Sequence, residues 1–236
     1  MVRSALLLLL SSFLSLSAKS LEDVVEKARA FVAPESRLEA VETLRYTGTL
    51  TPAAGGETRE VALLLEKPAN QRLEITQGQG RITMIVNEFD GFMIQEDLET
   101  GESRVTPLPI EQVRRFKANA AENLYFFDFP PGRQVRAKYL GTEEFRGRTV
   151  DAVRYIHPHG IRFLRYFDPG SGKLLGTETD TGSVNTEEGV REVDGIRFSE
   201  KVLSFEGDEP VHTIRFERIE VNPEIPDGAF DLPESE

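Results

Sequence analysis

The feature that most constrains this chain is an alternation of apolar and polar residues from Leu44 to Phe230, broken once at Ile110–Phe127. A period of two predicts strands with one apolar and one polar face, which is typical of antiparallel sheets with one side in water. About a dozen strands approach the limit for an open sheet, which must curl or split at that size. The strands predicted after the break are Val135–Phe145, Val150–His157, Ile161–Asp168, Leu174–Thr181, Val184–Val193, Ile196–Phe205 and Val211–Val221. In the last of them the apolar phase shifts, which predicts a bulge near Arg218.

The break itself has the pattern of an amphipathic helix. Apolar side chains recur at three- and four-residue spacing: Ile110, Val113, Phe116, Ala120, Leu124 and Phe127. Such a stripe must be buried against another element. A sheet that curls around this helix would bury the stripe without a second sheet. The predicted fold is therefore mainly β with helices, a large curved antiparallel sheet that can enclose an apolar cavity.

The N-terminus has the pattern of a secretory signal peptide, predicted to comprise residues 1–17. Arg3 supplies the positive charge, and Ala5–Leu16 is an apolar run followed by small residues. That run is shorter than the ~20 apolar residues of a membrane span. We expect cleavage before Ala18, with a later cut before Leu21 as the alternative. The pattern predicts export across the inner membrane.

A short helix should follow the signal peptide. Ser20 and Asp23 have the spacing of a capping box, in which each side chain bonds a free amide of the first turn. The apolar residues that then share one helical face are Leu21, Val24, Val25, Ala28, Phe31 and Val32. Pro34 ends this helix, and a helical turn at Ser36–Val41 is expected after it.

The composition fits one domain, residues 18–236, and limits the classes of molecule that it can bind. A net charge of −12 and a pI near 4.9 argue against nucleic acid or anionic headgroups as the main partner, because the field would repel both. Solubility alone also explains this acidity. The sequence has no cysteine, so the mature chain lacks the residue that carries the lipid of a bacterial lipoprotein. We therefore expect a soluble periplasmic monomer.

No sequence motif indicates catalysis or a cofactor. Nucleophile elbows, phosphate-binding loops and dinucleotide fingerprints are absent from the sequence. The histidines are His157, His159 and His212, which could form a metal site or be ordinary surface residues. The proline between the first two and the lack of a carboxylate motif favour surface histidines. We therefore predict that the protein is not an enzyme and binds no metal.

Several segments resemble the periplasmic lipoprotein-carrier family (LolA/LolB-like). Glu66–Pro68 followed by Arg72 is similar to the family's basic-Pro strand end and the Arg that opens its next strand. Val86–Gly91 resembles its Asp-Gly hairpin. Val41–Leu50 is similar to its first strand, and Ile219–Phe230 to its last segment. The resemblance follows the chain in order over most of its length.

This resemblance implies an unclosed antiparallel β-barrel with an α-helical lid over a hydrophobic cavity. Carriers of the family take acylated lipoproteins from an inner-membrane transporter to an outer-membrane receptor, which is itself a lipoprotein. The missing cysteine therefore favours the soluble carrier that binds acylated lipoprotein or lipid. The alternative is a sensor or interaction domain of the same fold that signals to a membrane partner. Phe92 and Met93 stand where the family often has a tryptophan, and Lys67 where it has an arginine.

Two sets of residues follow as candidate sites. The cavity candidates are Leu50, Leu63, Leu65, Ile75, Met84, Phe92, Val113, Phe116, Leu124 and Phe163. The alternative is packing in the core, which is the more frequent role of such residues in any domain. Lys67 and Arg72 are candidate lid latches, which would bond carbonyls of the lid or a lipid headgroup. Both could instead be solvated residues at the ends of strands.

Overall fold

The computed structural model describes residues 19–88 and 90–231, so the predicted signal peptide lies outside the described residues. The helices are α1 Leu21–Val32, α2 Glu35–Glu39 and α3 Ile110–Leu124. The strands are β1 Thr43–Pro52, β2 Arg59–Glu66, β3 Asn70–Gln77, β4 Gly80–Val86, β5 Gly91–Asp97, β6 Ser103–Pro107, β7 Arg136–Phe145, β8 Arg148–Ile156, β9 Arg162–Phe167, β10 Leu174–Thr179, β11 Ser183–Glu188, β12 Arg191–Val193, β13 Ile196–Phe198, β14 Lys201–Glu206 and β15 Glu209–Val221.

One 13-stranded antiparallel sheet forms the body of the protein. Its order is β6-β5-β4-β3-β2-β1-β15-β14-β11-β10-β9-β8-β7, so β6 and β7 are the two edges. The sheet curves but does not close into a barrel. Helix α3 lies between β6 and β7 in the chain, so it connects the two open edges. The predicted fold class, a curved unclosed sheet with helices, is confirmed.

The predicted start of α1 is confirmed. The Ser20 hydroxyl accepts a hydrogen bond from the Asp23 amide at 3.1 Å, and the Ser20 amide donates to the Asp23 carboxylate at 2.8 Å. The helix buries Val24 and Ala28 on its inner side. These two residues pack in an apolar cluster with Phe127, Val153, Tyr155, Phe167 and Leu174.

The predicted bulge in the last strand is also confirmed. Thr47 pairs with Arg218, but the next residue of β1, Gly48, pairs with Phe216. The extra residue in β15 shifts its apolar phase, which keeps Ile219 and Phe216 on the same face. Glycine is required at position 48 because a Cβ there would lie 2.0 Å from the Arg215 carbonyl oxygen.

Two strands predicted as continuous are each broken, which is a correction. The predicted strand 184–193 leaves the main sheet after Glu188, and the predicted strand 196–205 rejoins it at Lys201. Gly189 adopts a left-handed conformation (φ 72°) at the break. The segment between them, β12 and β13, forms a separate two-stranded hairpin. We call residues 189–200 the flap.

The flap packs over the inner face of the sheet. Ile196 and Phe198 are buried in the main core cluster with Leu44, Tyr46 and Leu65. The Phe198 and Tyr46 rings meet edge to face, with centroids 5.9 Å apart. The flap alternates apolar and polar residues because its apolar side packs against the main sheet, although its strands do not pair with that sheet.

The C-terminal segment, residues 222–231, packs across the outer face of the first strands. Arg45 donates to the carbonyl of Glu224 at 3.0 Å, and Arg72 donates to that of Ala229 at 3.2 Å. Leu64, on the same outer face, is buried. The C-terminal segment therefore covers the outer face at Arg45, Leu64 and Arg72, so this part of the sheet is not exposed to water in the way that the alternation predicted.

Helix α3 ends at Leu124, three residues earlier than the apolar stripe predicts. Phe126 and Phe127 adopt left-handed conformations (φ 46° and 72°), which end the helix. The Arg29 guanidinium of α1 donates to the carbonyls of Tyr125 and Phe126 at 2.9 and 2.8 Å. This arginine satisfies carbonyls that the helix end leaves free, so α1 fixes where α3 stops.

We expect Gly91→Ala to lower the free energy of unfolding by about 1–3 kcal/mol through overpacking. A Cβ at Gly91 would lie 2.9 Å from Cγ2 of both Val113 and Val86, where α3 meets β5. Urea unfolding followed by circular dichroism measures the change. Gly80→Ala is the control, since its Cβ would meet only the Gln77 carbonyl at 3.6 Å. Equal effects of the two substitutions would contradict close packing at Gly91.

Candidate functional site

A band of apolar side chains lines the inner face of the sheet without being fully covered. The register places them on one face of neighbouring strands, from β5 through β1 to β14. The members, all partly exposed, are Leu50, Val61, Leu63, Leu73, Ile75, Ile82, Met84, Met93, Val202, Ile214 and Phe216. We call this band the trough. Partly exposed apolar residues that form a continuous concave surface are a feature of ligand grooves.

Four of the predicted cavity residues lie in the trough, namely Leu50, Leu63, Ile75 and Met84. The pairing of β1 to β4 brings them onto one face, as the alternation predicted. Whether they contact a ligand stays a prediction.

Other predicted cavity residues are packed in the core. Leu65 and Leu124 are fully buried in the main cluster, where α3 meets the sheet. Phe163 is buried in a small cluster with Ala118 and Ile161. These residues hold α3 in place, which is the core-packing role that sequence reasoning left open.

The last three cavity candidates differ from one another. Val113 of α3 is buried against Gly91 of β5, and Phe116 is partly exposed on the same helix. The prediction of Phe92 as a cavity residue is wrong, because the register places it opposite Ile85 on the outer face of the sheet. The turn before β5 puts Gly91 on the inner face, so the next residue points away from the trough.

At the β14 end of the trough lies a cavity of about 160 Å³. It is bordered by α1, the end of α3 and the residues after it, the flap and the inner face of the sheet. Aromatic residues form much of its wall: Phe31, Tyr46, Phe126, Phe127, Phe198 and Phe216. The polar residues that line it are Glu122, Arg165, Lys173, Glu187, Arg197 and Ser199. We call it the inner cavity.

A buried ionic group borders the inner cavity and joins α3 to the sheet. Glu122 of α3 has a fully buried side chain, and its carboxylate accepts from Arg165 Nε of β9 at 2.6 Å. Its other oxygen lies 2.5 Å from His157 Nε2. Burial alone would raise the pKa of Glu122, but the Arg165 and His157 charges and hydrogen bonds hold that pKa below its usual range.

A second carboxyl group in the inner cavity behaves in the opposite way. Glu187 of β11 accepts a short hydrogen bond from the Ser199 hydroxyl of the flap. Removal from water raises the pKa of Glu187, an effect larger than the opposing influence of Ser199, Arg165 and Lys173. The inner cavity therefore contains one carboxyl group whose pKa is lowered, Glu122, and one whose pKa is raised, Glu187.

His157 is not a surface residue, which corrects the sequence prediction. It is 5% exposed, and the rings of Phe129 and Phe163 meet it edge to face at 5.3 and 5.6 Å. The available signal was the alternation of β8, which puts His157 in phase with the inward Tyr155. The partner carboxylate comes from α3, and no local pattern marks that contact.

The two predicted lid latches lie in different places. Lys67 Nζ is 5.5 Å from the ring centroid of Tyr125, which directly follows α3, and 3.6 Å from the Glu42 carboxylate. Arg72 lies on the outer face, where it bonds Glu74 and the Ala229 carbonyl. Arg72 therefore holds the C-terminal segment, which corrects the prediction of a lid latch there. Lys67 stays a candidate contact to the end of α3.

Within residues 19–88 and 90–231, no group of three or more His, Asp or Glu side chains is placed to hold a metal ion. No helix in that part of the chain is long and apolar enough to cross a membrane.

The comparison with known proteins identifies relatives of the fold at low sequence identity. A domain from Vibrio parahaemolyticus described as an outer membrane lipoprotein-sorting protein domain aligns over 88% of this chain and 95% of its own, with a TM-score of 0.56 and 14% identity. A LolA superfamily protein from Nitrosomonas europaea aligns over 91% and 99%, with a TM-score of 0.56 and 13% identity. A DUF1329 family protein from Desulfovibrio piger aligns over 91% and 98%, with a TM-score of 0.57 and 10% identity.

No family model and no curated protein matches the sequence. Identities this low show a shared fold and nothing more about this chain. That shared fold is LolA/LolB-like, as the sequence resemblance predicted.

We expect Glu122→Gln to lower the free energy of unfolding at pH 7 by about 3–5 kcal/mol, because it leaves Arg165 buried without its counter-charge. The folded pKa of Glu122 is lowered from 4.5, so its contribution is present above about pH 4.5 and is lost as the pH falls through the lowered value. The difference between wild type and variant should therefore shrink in acid. Chemical unfolding at several pH values measures it.

The matched control is Glu111→Gln, on the same helix. Its carboxylate is 55% exposed and pairs with Arg114 one turn away. A change of about 0.5 kcal/mol or less is expected for this surface pair. Equal losses for the two substitutions, or a Glu122→Gln loss that persists unchanged in acid, would contradict a buried charge pair at Glu122.

Proposed function

We propose that the protein is a soluble extracytoplasmic carrier that binds acyl chains of lipoproteins or lipids in the trough. The observation that carries this proposal is the trough itself, a continuous set of partly exposed apolar side chains on the concave face of the sheet. A lone exposed apolar residue is ordinary, but a continuous concave set leaves apolar area that a ligand can cover.

The dimensions and energetics of the trough suit an acyl chain. Neighbouring strands lie about 4.8 Å apart, so the six steps from β5 to β14 span roughly 29 Å along the curved sheet. Each methylene transferred from water contributes about 0.8 kcal/mol. Ten buried methylenes therefore contribute about 8 kcal/mol before the entropic costs of binding. Such a chain leaves water readily for the trough and needs shelter while it is moved.

The C-terminal half of α3 is proposed as a fixed wall of this site. Displacement of that half would separate Glu122 from Arg165 and leave two buried charges uncompensated, which is strongly unfavourable. An acyl chain therefore enters the open part of the trough beside α3 and does not replace the residues beneath it. The part proposed to act as a lid is the N-terminal turn of α3, where Ile110 is 57% exposed and Gln112 lies 3.9 Å from the Met84 sulfur of the trough.

The likeness of fold to a lipoprotein-sorting domain supports acylated lipoprotein as one cargo. The predicted signal peptide and the absence of cysteine support a carrier that crosses the inner membrane and is not itself lipid-anchored. Docking to an inner-membrane transporter and an outer-membrane receptor belongs to the same proposal. Mass spectrometry of the apolar ligand that copurifies with the native protein distinguishes a lipoprotein cargo from a lipid.

We expect Ile75→Glu to weaken the binding of a fluorescent palmitoyl probe by at least about tenfold, because it places a charge on the floor of the trough. The matched control is Thr76→Glu, the next residue of β3, which points to the outer face. It should leave affinity within about twofold. Titration of the delipidated protein with the probe measures both. Absence of saturable binding by the wild type, or equal losses in the two variants, would contradict the trough as the acyl site.

A further inference from the structure

The inner cavity contains a buried cation with unused hydrogen-bonding capacity. Arg165 is 8% exposed, and Nε is its only nitrogen with a hydrogen-bond acceptor among the described residues. Its terminal nitrogens, on a side chain that lines the inner cavity, have no such acceptor in that part of the chain. A planar guanidinium with free N–H groups is suited to binding a carboxylate through two parallel hydrogen bonds.

The charge of the inner cavity favours an anion, although the protein as a whole carries −12. Lys173 and Arg197 line its wall together with Arg165. The Glu122 carboxylate is already engaged by Arg165 and His157. Burial raises the pKa of Glu187, and even as carboxylates Glu122 and Glu187 are fewer than the cations Arg165, Lys173 and Arg197. An anion inside would therefore meet more positive than negative side chains on the cavity wall, with Arg197 also paired to Glu192 at 3.8 Å.

The inner cavity and the trough are continuous. Leu63, Val202 and Phe216 belong to the trough and also line the inner cavity. A chain whose polar end lies at Arg165 therefore passes over these three residues onto the apolar floor of the sheet. The cavity volume of about 160 Å³ accommodates a compact head and the first carbons of such a chain, but not a large headgroup.

We propose that the ligand is a single-chain fatty acid whose carboxylate is bound by the terminal nitrogens of Arg165 and whose chain lies in the trough. This inference rests on the proposed function, because the trough must accept the chain. It narrows that function, since the acyl chains of lipoproteins are esters and amides and have no free carboxylate. Arg165 recognises the carboxylate of the ligand, and the apolar trough retains its acyl chain.

Isothermal titration of the delipidated mature protein with palmitate and with hexadecan-1-ol tests this inference. The two ligands share a chain length and differ in the charge of the head. We expect wild type to bind palmitate at least about tenfold more tightly, the factor that 1.4 kcal/mol of head recognition would produce. Replacing both members of the buried pair, Arg165→Gln with Glu122→Gln, should reduce this preference to about twofold or less. Binding of hexadecan-1-ol should stay within about threefold.

The matched control replaces a more exposed ion pair that also joins α3 to the sheet side of the protein, Arg115→Gln on the helix with Asp180→Asn just after β10. It should keep the full preference for palmitate. Equal wild-type affinities for the two ligands would overturn the carboxylate site and leave the acyl carrier standing. Binding of neither ligand would overturn both proposals. A preference that persists in the Arg165 variant would also overturn the assignment to Arg165.

A measurement on the wild type covers the case in which the double variant fails to fold. The carboxyl ¹³C resonance of bound, labelled palmitate is followed by NMR from pH 8 to pH 5.5. We expect the resonance to keep its ionised position across this range, because the guanidinium stabilises the carboxylate. A bound resonance that moves to the protonated position within this range would overturn the inference.

Discussion

The buried contact between Glu122 and Arg165 determines how the interior of this protein is organised. It joins α3, which connects the two open edges of the sheet, to β9 near one of those edges. Both groups are withdrawn from water, so separation of the pair is costly. Arg29 adds a second constraint, because it binds the carbonyls at the end of α3. The helix is therefore held across the curved sheet at a fixed depth.

This fixed helix divides the inner face of the sheet into two parts. Where α3 packs on the sheet, Leu124 of the helix and Leu65 of β2 are fully buried and stabilise the fold. Beside α3, the trough stays partly exposed, and the flap covers the inner cavity at its β14 end. The helix thus excludes water from the core where it packs on the sheet and leaves the trough beside it accessible to a ligand. The proposed carrier function depends on this division.

Sequence patterns predict the strands, the capping box and the bulge near Arg218 because each depends on neighbouring residues. They predict the wrong face for Phe92, since the hairpin before β5 decides which residue points inward. They also miss the pairing of Glu122 with His157 and Arg165, residues 35 and 43 positions away. A charged residue on an apolar face is the available signal for such a group. Its partner depends on how α3 crosses the sheet, which no local pattern contains.

In the proposed carrier, acyl chains lie on the trough while the packed core between α3 and the sheet stays closed. Met84 and Met93 both belong to the trough, and the only other methionine is Met1, within the predicted signal peptide. Protein labelled with ¹³C at the methionine methyl groups therefore reports on the trough directly. We predict nuclear Overhauser contacts from bound palmitoyl methylenes to both methyl groups, and none to the methyl groups of Leu124. Contacts to Leu124 in place of both methionines would contradict the account.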